Sequence, residues 1–330
     1  MATLPATLEP TRRKASLGMR LYDLGALLGL LVLGVALSIL SRRFLTVDNL
    51  MNVAGQAAIN SIISIGMLLA ILTAGIDLSV GSILALSTML MAVLNKQVGL
   101  DPYLSILACL AIGSGLGLIN GLLLTRLNLP HPFISTLGMM NMARGIALVV
   151  TGAAPVSIFP EPIQFLGSRF LGPIPISILL VLALYLVVHL FLTRTTIGTY
   201  IYAVGGNREA SRLSGVSVKN ILTLVYTMSG FTAALGGLVL VGRVNSAYPL
   251  AGTGYELDAI AAVIIGGASF FGGVGSIGKT LIGVLLIAVL RNGLNLLNVS
   301  SSFQVFAIGA VIVVAVYVDV LRQRVLRAAS

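Results

Sequence analysis

The sequence predicts an all-α, polytopic integral membrane protein of about ten transmembrane segments, and three observations carry that prediction. First, 57% of the 330 residues are hydrophobic and 9% are charged, with a mean hydropathy of +1.05. Soluble domains carry about 25% charged residues, so a soluble fold of this length would lack the polar surface to cover itself. Second, the apolar residues come in blocks such as 104–124, 174–192 and 221–241. Each is close to the roughly 20 residues a helix needs to cross about 30 Å of hydrocarbon. Third, the positive charges are uneven between alternate loops. With the N-terminus inside, 13 Lys and Arg fall on the cytoplasmic side and 6 outside, with Arg144 inside a span. That bias orients both termini inward.

The segments are expected at 24–41, 54–74, 78–94, 104–124, 133–151, 174–192, 221–241, 256–267, 277–298 and 303–320. The third is short. The eighth is too short to span unless a broken or re-entrant piece completes it, which is tolerated only where protein or a cavity satisfies the backbone. The organisation is then a cytoplasmic lead at 1–23, a transmembrane domain at 24–320 and a cytoplasmic tail at 321–330. The lead is polar and the first span ends in Arg42 and Arg43 without a small-residue cleavage site, so that span reads as retained. The long loop after the fifth span divides the chain into two groups of five, and an odd number would invert one half against the other. No convincing sequence identity between the halves supports the inversion, which rests on counting.

Composition also excludes functions. The net charge of +10 is accounted for by orientation in lipid, so no nucleic-acid partner is expected. The single cysteine, Cys109, cannot form an intrachain disulfide or build a metal site, and no metal or cofactor is expected. Gly113, Gly117 and Gly121 form a row that lets helix backbones approach closely. Gly273-Val-Gly-Ser-Ile-Gly278-Lys279-Thr280 satisfies the Walker A pattern, and Ile312–Asp319 imitates a Walker B strand. Nucleotide binding needs strand, loop and helix within a soluble α/β domain, and the surrounding sequence is membrane-length apolar runs. The Gly266–Ser276 stretch is expected instead to be a tight turn before the ninth span, and Asp319 to mark the end of the last.

Charges inside a bilayer are costly and functional by default. Asp77 is expected to cap the third segment with Ser79 or to pair with a base. Arg144 is expected to pair with a carboxylate or line a pathway, and Glu256 and Asp258 to sit at the outer interface opening the eighth segment. An ion-coupled transporter using these charges stays open as an alternative. A catalytic set is not assembled: His131 and His189 stand alone.

Leu72–Ser82, Gly117–Gly121, Phe133–Gly138, Ala203–Asn207, Gly266–Ser276 and Asn292–Leu297 together resemble, in order, the ribose/xylose-type sugar permeases of ATP-binding-cassette importers. The resemblance covers about residues 20–322. Lys279-Thr280 and Thr199 depart from the family's usual residues. The resemblance implies a non-enzymatic transport subunit in a bacterial inner membrane. Its implied partners are a cytoplasmic ATPase, a periplasmic sugar-binding protein, a second permease subunit, expected as a homodimer, and membrane lipid. In the loop 193–220, Glu209-Ala210-Ser211-Arg212-Leu213-Ser-Gly215 resembles the signature through which such permeases engage their ATPases. Asn207 would cap this short helix and Gly215 would end it, presenting Arg208, Glu209 and Arg212. A neutral polyol needs a wettable path rather than fixed charge. Asp77, Asn120, Asn141, Arg144, Asn292 and Asn295 are the expected lining, with Asn60 and Gln304 as further amides.

Overall fold

The computed structural model describes residues 25–127 and 129–328. The lead 1–23 and the last two residues of the tail lie outside them. Among the described residues the chain is helical: α1 (Gly25–Leu40), α2 (Val47–Leu72), α3 (Val80–Lys96), α4 (Pro102–Arg126), α5 (Pro132–Val150), α6 (Glu161–Ser168), α7 (Ile176–Arg194), α8 (Thr196–Gly206), α9 (Arg208–Leu213), α10 (Val218–Val244), α11 (Tyr255–Ile265), α12 (Ile277–Leu296) and α13 (Ser301–Ala328). Two antiparallel ladders of two residues each interrupt the loops. β1 (Val156–Ser157) pairs with β4 (Ser246–Ala247), and β2 (Phe170–Leu171) with β3 (Ile174–Pro175).

Seven of these helices, α2, α4, α5, α7, α10, α12 and α13, are long and apolar enough to cross a membrane. α1 and α3 are apolar but shorter, at 16 and 17 residues, and α11 has 11. The expectation of ten segments therefore stands at seven by length and composition. The extra helices α6, α8 and α9 lie in the two long loops. The helix starts follow local chemistry. Asp101 accepts from Tyr103 N at 2.9 Å ahead of Pro102, and His131 Nδ1 accepts from Phe133 N at 3.1 Å ahead of Pro132. Proline is pre-shaped for a first turn and needs no donor there.

α2 and α10 are central. The most apolar windows of α2 and α10 are 89% and 78% buried, against 28% for α4, α5 and α7 and 17% for α13. The glycine row of α4 lies on α10 as the spacing predicts. A Cβ at Gly113 would strike Ala234, at Gly117 the carbonyl of Tyr226, and at Gly121 Thr223 Cα at 2.7 Å. Without a hydrophobic driving force between helices in lipid, such backbone contact is what holds two spans together.

Gly117→Ala should therefore lower stability by about 1–3 kcal/mol, the usual cost of overpacking. Gly115 faces open space, so Gly115→Ala should be neutral. Thermal unfolding of both variants in detergent measures the contrast; equal midpoints would show that the row does not hold α4 to α10.

Candidate functional site

The first break in the helical framework lies between α2 and α3. Ala74 takes a left-handed φ of 57° and Gly75 turns beneath the Tyr226 hydroxyl, where a Cβ would collide. The chain then buries Asp77 completely. Among the described residues Asp77 neither stands as the N-cap of α3, which is Ser79, nor pairs with a base. Its Oδ1 accepts from Ser79 N at 3.0 Å and Ser79 Oγ at 2.5 Å, and its Oδ2 accepts from Ser229 Oγ of α10 at 2.7 Å. Asn120 of α4 donates to Ser79 Oγ at 2.8 Å. A buried carboxylate is tolerable only when hydrogen-bonded, and here the turn at Ser79 and Ser229 of α10 supply the donors, with Asn120 of α4 behind Ser79. Ser229 and Tyr226 were not legible as site residues, because hydroxyls in apolar spans are common helix packing.

A second break, 245–254, leads from α10 to α11. Asn245 ends α10 at φ 51°, and Gly252 and Gly254 are also left-handed. Among the described residues Arg144 of α5 makes no salt bridge, although the Glu256 carboxylate acts on its charge. Its Nη1 donates to the carbonyls of Pro249 and Ala251 at 2.6 and 2.8 Å, satisfying irregular backbone. Glu256 accepts from Gly254 N at 3.2 Å. Asp258 is 1% exposed and bound by Arg291 of α12 at 2.7 Å.

The amides expected to line one path do not converge. Asn292 exchanges two hydrogen bonds with Asn49, at 2.7 and 3.0 Å, tying α12 to α2. Asn295 accepts from Gln304 at 2.8 Å. Asn141 is exposed and donates to its own Leu137 carbonyl at 2.9 Å. Asn60 is buried in α2. Asp77 and Asn120 meet through Ser79.

A third assembly joins distant parts of the chain. Gly273 N donates to the Leu72 carbonyl at 2.9 Å, Tyr202 Oη to the Gly275 carbonyl at 3.0 Å, and Arg208 Nη2 to the Thr73 carbonyl at 3.0 Å. Gly205 is wedged between Leu72 and Gly273, leaving no room for a Cβ. The linker helices, the Gly266–Ser276 turn and the end of α2 thus form one backbone-packed knot. Asp319 is buried and belongs to it, accepting from Phe270 N at 3.2 Å and Ser269 Oγ at 3.3 Å. The Walker-like residues serve this turn. It joins helix to helix, and Thr280 is buried with its hydroxyl on the Ser276 carbonyl at 3.0 Å.

Within the linker, Asn207 Oδ1 accepts from Ala210 N at 2.9 Å and Gly215 sits at φ 83°. Ser211 is buried and bonds back to the Asn207 carbonyl at 2.8 Å, so its position takes only a small residue. Arg212 grips Glu209 with two hydrogen bonds, 2.6 and 3.0 Å, which holds the Glu209 carboxyl below the usual carboxylate range. Leu213 is 74% exposed at the tip. The outer face of α9 therefore offers a fixed ion pair beside an apolar knob, and Arg208 faces inward to the knot.

Residues 49–316 match the family model described as branched-chain amino acid transport system / permease component. The ribose import permease protein RbsC of Escherichia coli K12 is 44% identical over 310 residues, covering 92% of this chain and 95% of that protein. RbsC of Bacillus subtilis 168 is 44% identical over 301 residues, 91% and 93% of the two chains. The D-allose transport system permease protein AlsC of Escherichia coli K12 is 42% identical over 278 residues, 84% of each. No solved structure matches. With one family model spanning most of the chain and relatives of this identity aligned nearly end to end, the protein belongs to this family of transport permeases, as a membrane-spanning, non-catalytic subunit.

Proposed function

We propose that this chain carries a simple sugar across a bacterial inner membrane, with ribose the first candidate, powered by a separate ATPase and fed by a periplasmic binding protein. The names of the relatives support the sugar class. The observation that carries the mechanism is the knot at Leu72–Thr73, Gly205–Arg208 and Gly273–Gly275. ATP-driven import requires a rigid element that passes a partner's movement to the spans. The linker α8–α9 rests directly on the broken end of α2 and shows a partner Glu209, Arg212 and Leu213. The knot end is then cytoplasmic, with both termini, and the end carrying β1–β4 faces outward. In this reading α1, α3 and α11 complete ten segments in two inverted halves, the short ones entering the membrane as broken spans.

The second permease subunit is assigned to the outward stripe of α5. Gly138, Asn141 and Gly145 lie along it exposed, with open space where a Cβ would stand at both glycines. Arg144 lies half-buried beside them. A second copy facing this stripe would enclose an amide-lined path wet enough for a polyol. With Cys109 replaced by Ser, Gly138→Cys should form oxidant-induced dimers; monomer alone under oxidation would place the partner elsewhere.

Glu209→Lys and Gly215→Val should leave the protein inserted and able to receive the binding protein. ATP-dependent ribose uptake in reconstituted vesicles should fall by about tenfold or more, the size of a usual coupling free energy. Stimulated ATP hydrolysis should fall with it. Normal uptake and hydrolysis in both variants would remove α9 from the coupling role. For orientation, Ser168→Cys should react with an impermeant thiol reagent in intact cells and Ser214→Cys only after permeabilisation; both positions are exposed. The reverse pattern would invert the topology.

A further inference from the structure

Asp77 and Asp258 are both buried, and they differ in what answers their charge. Asp258 is bound by the Arg291 guanidinium at 2.7 Å. Asp77 is bound by neutral donors, the Ser79 amide and hydroxyl and the Ser229 hydroxyl. Such donors share a negative charge without cancelling it, and an uncancelled charge in a dry interior is costly. Arg208, at the start of the same break, spends its Nη2 on the Thr73 carbonyl at 3.0 Å.

The hydrogen bonds around Asp77 leave oxygen atoms over. The Ser79 hydroxyl has one proton, and at 2.5 Å it goes to Asp77 Oδ1. Ser79 Oγ then accepts from Asn120 at 2.8 Å, so the amide nitrogen of Asn120 faces the serine and its carbonyl oxygen is left. That oxygen is buried without a partner among the described residues, and so is Tyr226 Oη. Both side chains are fully buried, where polar atoms are almost always paired.

The two orphans belong to the shell of Asp77. Asn120 stands one hydrogen bond behind the serine that Asp77 holds. Tyr226 lies three residues before Ser229 and shares its face of α10. A Cβ on Gly75, two residues before Asp77, would collide with the Tyr226 hydroxyl. The charge of Asp77 also acts on that hydroxyl. A carboxylate offers about four acceptor positions, of which the two serines fill part. One negative charge with an amide oxygen and a phenol oxygen, beside unwound backbone at a helix end, is the donor set of a hard monovalent cation. A divalent ion would replace one buried net charge with another.

We propose that the break between α2 and α3 holds one dehydrated alkali-metal cation, bound by the Asp77 carboxylate, the Asn120 carbonyl oxygen and the Tyr226 hydroxyl oxygen. Tyr226 binds as the neutral phenol. The ion cancels the buried charge and ties α4 and α10 to the break. It is a fixed part of the fold, and the inference is independent of what the chain transports.

The test uses the purified chain in detergent, dialysed into choline chloride and titrated with sodium or potassium chloride at constant ionic strength. With at least one of the two, the unfolding midpoint should rise by about 2 °C per tenfold increase beyond half-saturation, as for one ligand of the folded state. Equilibrium binding of radioactive sodium or rubidium should count one ion per chain. Asp77→Asn should abolish both effects. Tyr226→Phe should raise the half-saturating concentration by about tenfold, the loss of one contact to a charged group. Ser114→Ala, whose hydroxyl bonds within α4 to the Leu110 carbonyl, should change neither. Should Asp77→Asn fail to insert, the unaltered chain and Tyr226→Phe decide. Equal midpoints in all three chlorides, or no bound ion, overturn the proposal. So does a midpoint that moves with pH alone, which makes the neutralising cation a proton. A cation effect unchanged in Asp77→Asn and Tyr226→Phe puts the ion elsewhere and overturns it too.

Discussion

A helix that stops within a buried apolar interior leaves amides and carbonyls that must find partners, and the arrangement of this protein meets that requirement at two breaks. At the first break the Leu72 and Thr73 carbonyls are taken by Gly273 N and Arg208, and Asp77 gathers the Ser79 amide. At the second, Arg144 takes two carbonyls from another helix. Arg144 and Asn141 are thus spent on backbone, and Asn120, Asn292 and Asn295 on other side chains, so no single lining gathers them.

Satisfying the breaks demands close backbone approach, and glycine provides it. The row Gly113, Gly117 and Gly121 brings α4 onto α10, so that Asn120 and Ser229 both reach the same short stretch of chain. Gly205 does the same for the linker against α2, and Gly81 against Gly252 for the two breaks. Contacts at backbone distance transmit displacement with little slack, because no side-chain rotamer stands between the moving parts. A transporter driven from outside its own chain needs that stiffness between its docking face and its membrane path.

Much of this was legible beforehand. Hydropathy placed a helix at each of the ten expected segments, the glycine row faced a neighbouring helix, and Asn207 and Gly215 bounded a short helix as their residue types required. The ordered motifs identified the family. The pairing of Asp258 with Arg291 was not legible, because 33 residues separate them and neither residue type names its partner.

What the sequence determined by itself is the class of structure and the family, since both depend on local composition and on motifs a few residues long. The tertiary structure alone decided which polar groups meet. Asp77 and Ser229 lie 152 residues apart, and Asn49 and Asn292 lie 243 apart. Hydrogen-bonding chemistry at either end of such a pair is compatible with many partners, and only the packing of glycine faces selects one.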